Sequence, residues 1–113
     1  MHELGLCDAM LRKIREIAKE NDVEIINSIT VEVGSLSGVV PRFLTDCWTA
    51  VTDGTELADT KMIVETVDGE AKCLDCEEVF VADLNNLKCP KCGSDLLAPI
   101  SGVTLTIKEI EAC

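Results

Sequence analysis

Four cysteines in the C-terminal half of the chain have the spacing of a metal site. They form two pairs, Cys73-Leu-Asp-Cys76 and Cys89-Pro-Lys-Cys92, with twelve residues between the pairs. A two-residue gap lets both sulfurs of one turn reach the same ion, and two such turns supply four thiolates in a tetrahedron. Because a closed four-sulfur shell leaves no position for a substrate, the spacing predicts a structural Zn²⁺ site and not a catalytic one.

Two alternatives to zinc stay open at this point. An iron site would use the same four thiolates, so the ligand set does not separate the two metals. Redox-active thiol pairs are the second alternative, but a thioredoxin-type pair would open a helix in a βαβ unit, and neither pair does. The chain has seven cysteines, an odd number, and no visible secretory signal. These features favour thiol or metal chemistry in the cytoplasm over a disulfide framework.

The N-terminus carries a second set of potential ligands. The chain begins Met1-His2-Glu3, and His2 is its only histidine. The α-amino group, the imidazole and the amide nitrogens of His2 and Glu3 can close fused chelate rings around one ion, a nitrogen set that suits square-planar Ni²⁺ or Cu²⁺. A lone histidine is more often an ordinary residue, and the positive end of a helix would oppose a cation here. Glu3 and deprotonated amides would have to offset that opposition.

Two helices and three strands are predicted to position these residues. Apolar residues recur at three- and four-residue intervals in two segments, which predicts amphipathic helices at residues 3–20 and from Pro41 to the stop at Asp53-Gly54. Alternating or β-branched apolar runs predict strands at 28–34, 61–67 and 103–108.

Residues 70–98 differ in character from the rest of the chain. They hold the four paired cysteines and several turn signals. We therefore expect a small module inserted into a discontinuous α+β domain formed by residues 1–69 and 99–113. The last strand is expected to return and pair in the sheet of that domain.

The three other cysteines have no spacing that would indicate metal binding or catalysis. Cys7 and Cys47 fall on the apolar faces of the two predicted helices, where a free cysteine packs as a small hydrophobic residue. Cys113 ends the chain and has no assigned role. The sequence contains no recognisable catalytic triad, phosphate-binding glycine loop or hydrolase carboxylate pair, so we do not expect an enzyme.

The net charge of the chain argues for some classes of binding partner and against others. The chain has 21 acidic and 10 basic residues, a net charge of −11. This disfavours nucleic acid and anionic membranes as partners, and it is compatible with cations and with a basic protein partner. No run of apolar residues is long enough for a membrane span, and the N-terminus lacks the basic region of a signal peptide.

Three motifs occur in one order along the chain: Met1-His2-Glu3-Leu4, then Glu32-Val33-Gly34-Ser35-Leu36-Ser37-Gly38-Val39, then the paired cysteines. This combination resembles the HypA/HybF family, the nickel-insertion metallochaperones of [NiFe]-hydrogenase maturation, over essentially the whole chain. The resemblance implies a nickel-binding domain with two helices on a three-stranded antiparallel sheet. It also implies an inserted zinc-ribbon-like domain.

The resemblance further implies ligands and partners. Ni²⁺ would be a cargo bound by the Met1 nitrogen, His2 and the Glu3 backbone, and Zn²⁺ would be structural. The implied partners are the HypB-type GTPase and the hydrogenase large-subunit precursor, and family members occur as monomers or homodimers. In one departure, Val40 stands where an acidic residue is common before the second helix and can contribute to the nickel site. A zinc-ribbon adaptor that binds only protein is the alternative function.

Overall fold

The computed structural model describes residues 2–112, except for the side chain of His2. Predictions that concern Met1, the His2 side chain and Cys113 lie outside the described residues. The described elements, in chain order, are α1 (His2–Glu20), β1 (Ile26–Gly34), α2 (Pro41–Thr52), β2 (Lys61–Val67), β3 (Glu70–Cys73), β4 (Val79–Val81), β5 (Leu97–Pro99) and β6 (Leu105–Ala112). They form two three-stranded sheets, with strand orders β2-β1-β6 and β4-β3-β5.

The two helices share one aliphatic core with the first sheet. The apolar stripe predicted for α1 is buried from Cys7 to Ile14 but exposed at Leu4, and the inward-facing positions of β1 and α2 are buried. The core consists of Cys7, Met10, Leu11, Ile14, Ile26, Ile29, Val31, Val33, Leu44, Trp48 and Leu57. Both helices therefore lie where the hydrophobic periodicity predicts them, within one or two residues at each end. Neither helix of residues 2–112 is long and apolar enough to cross a membrane.

The first sheet is mixed, so the expectation of a wholly antiparallel sheet is wrong for one strand pair. β1 and β2 are parallel, with Ser28 opposite Lys61 and Gly34 opposite Val67. The chain leaves one end of β1, passes through α2 and enters β2 at the other end, which is the crossover that a parallel pair requires. β1 and β6 are antiparallel, so the predicted return of the last strand to this sheet is confirmed.

β6 runs from Leu105 to Ala112 and not from 103 to 108, and it ends later than predicted because its alternation is interrupted. Its register against β1 shifts by one residue at Lys108, which is an extra residue between Ile107 and Glu109. Such a β-bulge lets Ile107 and Ile110, three positions apart, pack against the same core. A search for strict alternation stops at the bulge and misses the second half of the strand.

The second sheet is built entirely from residues 70–99, the part of the chain that carries the paired cysteines. β3 is its central strand and pairs antiparallel with both β4 and β5. The division into domains at 1–69 with 99–113, and 70–98, stays a prediction.

Three glycines make the contact between the two sheets. An added Cβ at Gly34 would lie 2.1 Å from the carbonyl oxygen of Gly102, and one at Gly102 would lie 2.3 Å from the Cα of Gly69. The amide of Leu36 donates to the Gly102 carbonyl at 2.8 Å, and the amide of Gly69 donates to Ser35 Oγ at 2.8 Å. Backbone therefore packs directly on backbone where the two connecting segments pass the end of β1. This close approach accounts for the glycine that ends β1.

We predict that Gly34→Ala lowers the free energy of unfolding by about 3 kcal/mol, because the new methyl group meets backbone atoms that cannot move aside. Gly5→Ala is the matched control, since a Cβ at Gly5 has no neighbour within 4 Å and the residue lies inside α1. That control should gain about 1 kcal/mol from helix propensity. Urea denaturation of both variants measures the two effects, and equal stability of the two would contradict the packing argument.

Candidate metal centre

The four paired cysteines come together in one cluster beside the second sheet. All four Sγ atoms lie within 4.8 Å of one another. The Cys73–Cys92 and Cys76–Cys89 sulfur pairs are each 3.5 Å apart. A tetrahedral Zn²⁺ with bonds of about 2.3 Å places its sulfur ligands about 3.8 Å from one another. The four cysteines therefore fit a structural zinc site without rearrangement of the backbone.

The two cysteine turns have the same backbone hydrogen bonds. The amides of Glu77 and Gly93 donate to the carbonyls of Cys73 and Cys89, each four positions earlier, at 2.9 Å. The amide of each first cysteine donates at 2.8 Å to the carbonyl five positions later. The equivalent residues Glu77 and Gly93 both have positive φ, at 66° and 77°. The turns are thus local duplicates that face each other across the cluster.

Backbone amides point at two of the four sulfurs, those of Cys73 and Cys89, and favour their charged form. The amides of Lys91 and Cys92 donate to Cys89 Sγ at 3.4 and 3.5 Å. Burial acts to raise the pKa of Cys89, but these amides, together with the thiols of Cys76 and Cys92, outweigh burial and the pKa falls to about 7. The amide of Cys76 donates to Cys73 Sγ at 3.5 Å and lowers the pKa of Cys73. Thiolates held in this way are prepared to bind a cation.

A side-chain contact links the two turns. The Ser94 hydroxyl, which follows the second turn, donates to the carboxylate of Asp75 in the first turn. The amide of Leu74 also donates to the carbonyl of Leu96 at 2.8 Å. These contacts fix the two cysteine pairs at a constant separation.

The folded state of the second sheet depends mainly on the cysteine cluster. Among the described residues 70–99, the buried ones are Ala71, Cys73, Ala82 and Cys89. None of these is a large aliphatic or aromatic side chain, so hydrophobic burial contributes little here. A bound metal supplies the missing stabilisation in small modules of this kind.

At the N-terminus, the structure describes only part of the predicted nickel site. α1 begins at His2, and Glu3 lies in its first turn with a side chain that is only 7% exposed. Val40 directly precedes α2, is 43% exposed and makes no side-chain capping bond. Its side chain offers no ligand atom, in keeping with the departure noted in the sequence.

The thiol of Cys7 lies inside the core, as its apolar position predicts. It is fully buried and donates to the Leu44 carbonyl at 3.3 Å. Burial, with smaller effects from Cys47 and Glu3, raises the pKa of Cys7 to about 12. A thiol in this state is a poor nucleophile and a poor metal ligand at neutral pH. Cys47 is half-buried, and neither thiol forms a disulfide in the described chain.

The fold is α+β, with two helices on a mixed sheet and a second, small sheet beside a four-cysteine cluster. This combination defines a metal-binding protein with a zinc-ribbon-like module. The chain belongs to the HypA family: residues 1–112 match the family described as "Hydrogenase/urease nickel incorporation, metallochaperone, hypA". The resemblance inferred from the motifs is therefore confirmed, and with it the assignment to nickel metallochaperones of hydrogenase maturation.

Individual relatives and solved structures agree with this assignment. The chain is 32% identical over 111 residues to the hydrogenase maturation factor HypA of Rhodopseudomonas palustris strain BisB5, covering 98% of each chain. It is also 32% identical to HypA of Aquifex aeolicus, covering 98% of this chain and 96% of the relative. The solution structure of the Ni metallochaperone HypA from Helicobacter pylori has the same fold, with a TM-score of 0.68, 20% identity and coverage of 97% and 96%. A second HypA solution structure has a TM-score of 0.70 at 22% identity, with coverage of 100% and 97%.

Sequence reasoning missed the conformation of Glu77. The glycine after Cys92 indicates a turn with positive φ, but the equivalent position of the first turn holds a glutamate. The duplicated CxxC pattern could have predicted the positive φ of Glu77, because equivalent turns need equivalent backbone conformations.

We predict that chelation of the zinc unfolds the second sheet and leaves the first sheet intact. Removing the ion leaves residues 70–99 with small buried side chains only, whereas the aliphatic core is untouched. Trp48 is a suitable internal control, because it is 2% exposed in that core and its indole donates to the Thr60 carbonyl at 3.0 Å. Hydrogen exchange should become fast across 70–99 while Trp48 fluorescence stays constant. Protection of 70–99 without metal would show that the sheet folds by itself.

We also predict that Glu77→Gly tightens zinc binding, because glycine adopts positive φ without the steric cost of about 1 kcal/mol that other residues have. The expected gain is about fivefold in a chelator competition. Gly93→Ala places a side chain at the equivalent φ and should weaken zinc binding by a similar factor.

Glu77→Ala separates the backbone effect from the charge of the side chain. Glu77 pairs with Lys72 at 3.8 Å, but both side chains are largely exposed, so the ion pair contributes little. Glu77→Ala should leave the zinc affinity close to that of the natural protein. A gain equal to that of Glu77→Gly would instead assign the effect to charge.

Proposed function

We propose that this protein binds Ni²⁺ at its N-terminus and delivers it to the [NiFe]-hydrogenase large-subunit precursor. The ligands of the cargo ion are the Met1 amine, the imidazole and the amide nitrogen of His2, and the amide nitrogen of Glu3. The Zn²⁺ ligands are Cys73, Cys76, Cys89 and Cys92. Membership of a nickel-incorporation family supports the function, and the ligand assignment rests on the chemistry of the chain's first three residues.

The observation that carries the nickel site is the start of α1 at His2. The first amide groups of a helix have no carbonyl acceptor within the helix. Ni²⁺ can therefore replace the amide protons of His2 and Glu3 without breaking a hydrogen bond of α1. Ni²⁺ displaces protons from the α-amino group and from the two amides, so nickel binding should strengthen as the pH rises.

The Glu3 carboxylate has an electrostatic role in this proposal and is not a ligand. Its side chain is 7% exposed, and its charge acts on the thiol of Cys7 one turn further along α1. A negative charge in the first turn offsets the positive end of the helix, which otherwise repels a cation. Glu3 thus reduces the electrostatic repulsion between the helix N-terminus and Ni²⁺.

Release follows from the small number of ligands. Val40 supplies no side-chain donor, so the N-terminal nitrogen set leaves the ion open on one side. The acceptor's ligands can enter there and replace the chaperone's ligands one at a time. No substrate is chemically converted in this step, so the protein acts as a carrier and not as an enzyme.

The partners in this proposal are the HypB-type GTPase and the large-subunit precursor, met in the cytoplasm. A net charge of −11 favours partner surfaces that are basic. It also attracts the Ni²⁺ cargo to the protein.

The alternative function is a zinc-ribbon adaptor that binds protein and no nickel. One observation favours it: the module and its connection to β6 expose many large apolar side chains, as docking surfaces do. These are Leu74, Val79, Val81, Leu84, Leu87, Leu96, Ile100 and Val103. A nickel titration separates the two functions, because an adaptor binds zinc but no stoichiometric nickel.

We predict that tag-free, zinc-loaded protein binds one Ni²⁺ in calorimetry and that one extra residue ahead of Met1 abolishes this binding. The extension moves the amine away from His2 without altering the fold. His2→Ala should have the same effect, with the zinc retained. If the extended protein binds nickel as the natural protein does, the ion is held elsewhere. If neither protein binds nickel, the adaptor function is supported.

Glu3→Gln tests whether the backbone or the carboxylate of this residue is the ligand. The substitution removes the charge but keeps the backbone nitrogen and the size of the side chain. We expect a loss of several-fold in nickel affinity from the lost charge, with binding retained at one ion per chain. Complete loss would make the carboxylate a ligand and would contradict the assignment.

A further inference from the structure

An apolar pocket lies between the second sheet and the segments that connect it to the first sheet. It has a volume of about 260 Å³, and its aliphatic walls consist of Leu36, Leu84, Leu87, Leu97 and Val103. Leu84, Leu87 and Val103 are each about half exposed, although their side chains are large and apolar. The pocket is therefore open to water and keeps apolar surface there that the chain itself does not cover.

Small residues create the space in this pocket. Ala71 of β3 and Ala82, directly after β4, both line it and are only 3% and 6% exposed. A larger side chain at either position would fill the pocket from within the chain. The two alanines thus leave a recess that can receive one apolar side chain from outside.

Backbone hydrogen bonds hold the walls of the pocket in place. The amide of Leu36 donates to the carbonyl of Gly102 at 2.8 Å, within the backbone contact between the two sheets. The amide of Asn86 donates to the carbonyl of Asp83 at 2.9 Å, in a tight turn that carries the two half-exposed leucines. Because the walls are already ordered, a side chain that enters the pocket does not have to order them first.

One carboxylate lies among the apolar lining residues. It belongs to Asp95, which is exposed and forms no ion pair with any described residue. A single polar group in an apolar pocket fixes the orientation and the charge of what binds there. Residues 70–97 also contain six acidic residues and only three lysines, so the surroundings attract a basic partner.

We propose that this pocket receives an apolar side chain from a basic segment of another protein, and that Asp95 pairs with a lysine or arginine beside that side chain. An apolar anchor in a preformed recess with a charge pair at the rim is a common arrangement in peptide recognition. Lipid headgroups and nucleic acids carry phosphates, which the acidic surroundings repel. The proposal uses no nickel ligand and does not depend on nickel delivery.

The pocket also accounts for the weak core of the second sheet. The buried residues of this sheet are small, whereas its large aliphatic residues stand around an open recess. A chain selected for stability alone would close that recess with its own side chains. Departures from good packing of this kind are expected at functional sites, where stability is supplied by other means. Here the cysteine cluster supplies it.

A nuclear magnetic resonance titration of zinc-loaded, nickel-free protein is the test. The probes are short synthetic peptides with a leucine, methionine or phenylalanine between two lysines. We expect the methyl signals of Ala71, Leu84 and Leu87 to shift and saturate with at least one of these peptides. A matched peptide with a central serine should bind about tenfold more weakly, because it buries no apolar side chain. A peptide with glutamates in place of the lysines should not bind.

Two substitutions test the pocket itself. Ala71→Leu fills it and should weaken binding of the best peptide about tenfold or more. Ala98→Leu is the matched control, because Ala98 lies between the lining residues Leu97 and Pro99, and alternation places its side chain on the other face of the sheet. It should leave the affinity unchanged. Leu84→Ser removes part of a wall without adding volume and should also weaken binding, so the test does not depend on the folding of Ala71→Leu.

Two further substitutions test the charge pair. Asp95→Asn should weaken binding several-fold at low salt and should reduce the salt dependence of binding. Asp83→Asn removes the same charge from the same module, but Asp83 does not line the pocket and its side chain accepts a hydrogen bond from the amide of Asn85 at 2.9 Å. This control should change the affinity much less than Asp95→Asn does.

Four results would contradict the proposal. Absence of methyl shifts with every basic peptide up to millimolar concentration overturns it, and binding that neither Ala71→Leu nor Leu84→Ser weakens uses another surface. Equal effects of Asp95→Asn and Asp83→Asn replace the charge pair with general attraction. If light scattering shows that Ala71→Leu lowers the mass of the free protein, the occupant is a second copy of the chain. A nickel titration is independent of all four results, so failure here does not affect the proposed function.

Discussion

The backbone contact among Gly34, Gly69 and Gly102 is the constraint on which the arrangement of the two sheets depends. Two connecting segments and the end of β1 approach so closely that no Cβ fits between the first and the last of these glycines. Hydrogen bonds from Leu36 and Gly69 lock the same crossing. Backbone that is packed and bonded in this way has few alternative geometries. The second sheet is therefore held in a defined position relative to the first, although only two short connecting segments join the two sheets covalently.

The two sheets reach stability by different physical means. The first sheet buries a continuous aliphatic core under α1 and α2, and that core also fixes the start of α1. The second sheet buries only small residues and depends on four thiolates around an ion. Because the first sheet has its own core, loss of the metal should unfold the second sheet and leave the first sheet folded. In the proposed function, a nickel site at the N-terminus would therefore be unaffected by loss of the zinc.

Much of the fold could be predicted from the sequence, because strong periodic patterns determine α1, α2, β1 and β2. Paired CxxC spacing likewise predicted that four cysteines would cluster. The direction of β2 could not be predicted, because periodicity reports which face of a strand is buried and not which way the strand runs. The bulge at Lys108 was also hidden, since it interrupts the alternation that a strand search depends on. For the nickel site, the sequence predicts ligands in Met1, His2 and Glu3, and this assignment stays a prediction because Met1 and the His2 side chain lie outside the described residues.

The chemistry of the two metal sites explains why one chain would carry both in the proposed function. Four thiolates, with amides directed at Cys73 and Cys89, form a closed shell that favours retention of a soft ion. Cargo bound in such a cage would leave too slowly to be delivered. A nitrogen chelate at the end of the chain would release its ion more readily. Its ligands come from one short segment, and no other element has to enclose them. Val40 preserves that openness, since an acidic residue at its position would add a ligand that the acceptor must displace. In the proposed function, a retained ion and an exchangeable ion would therefore be kept apart by ligand type and by enclosure, not by affinity alone.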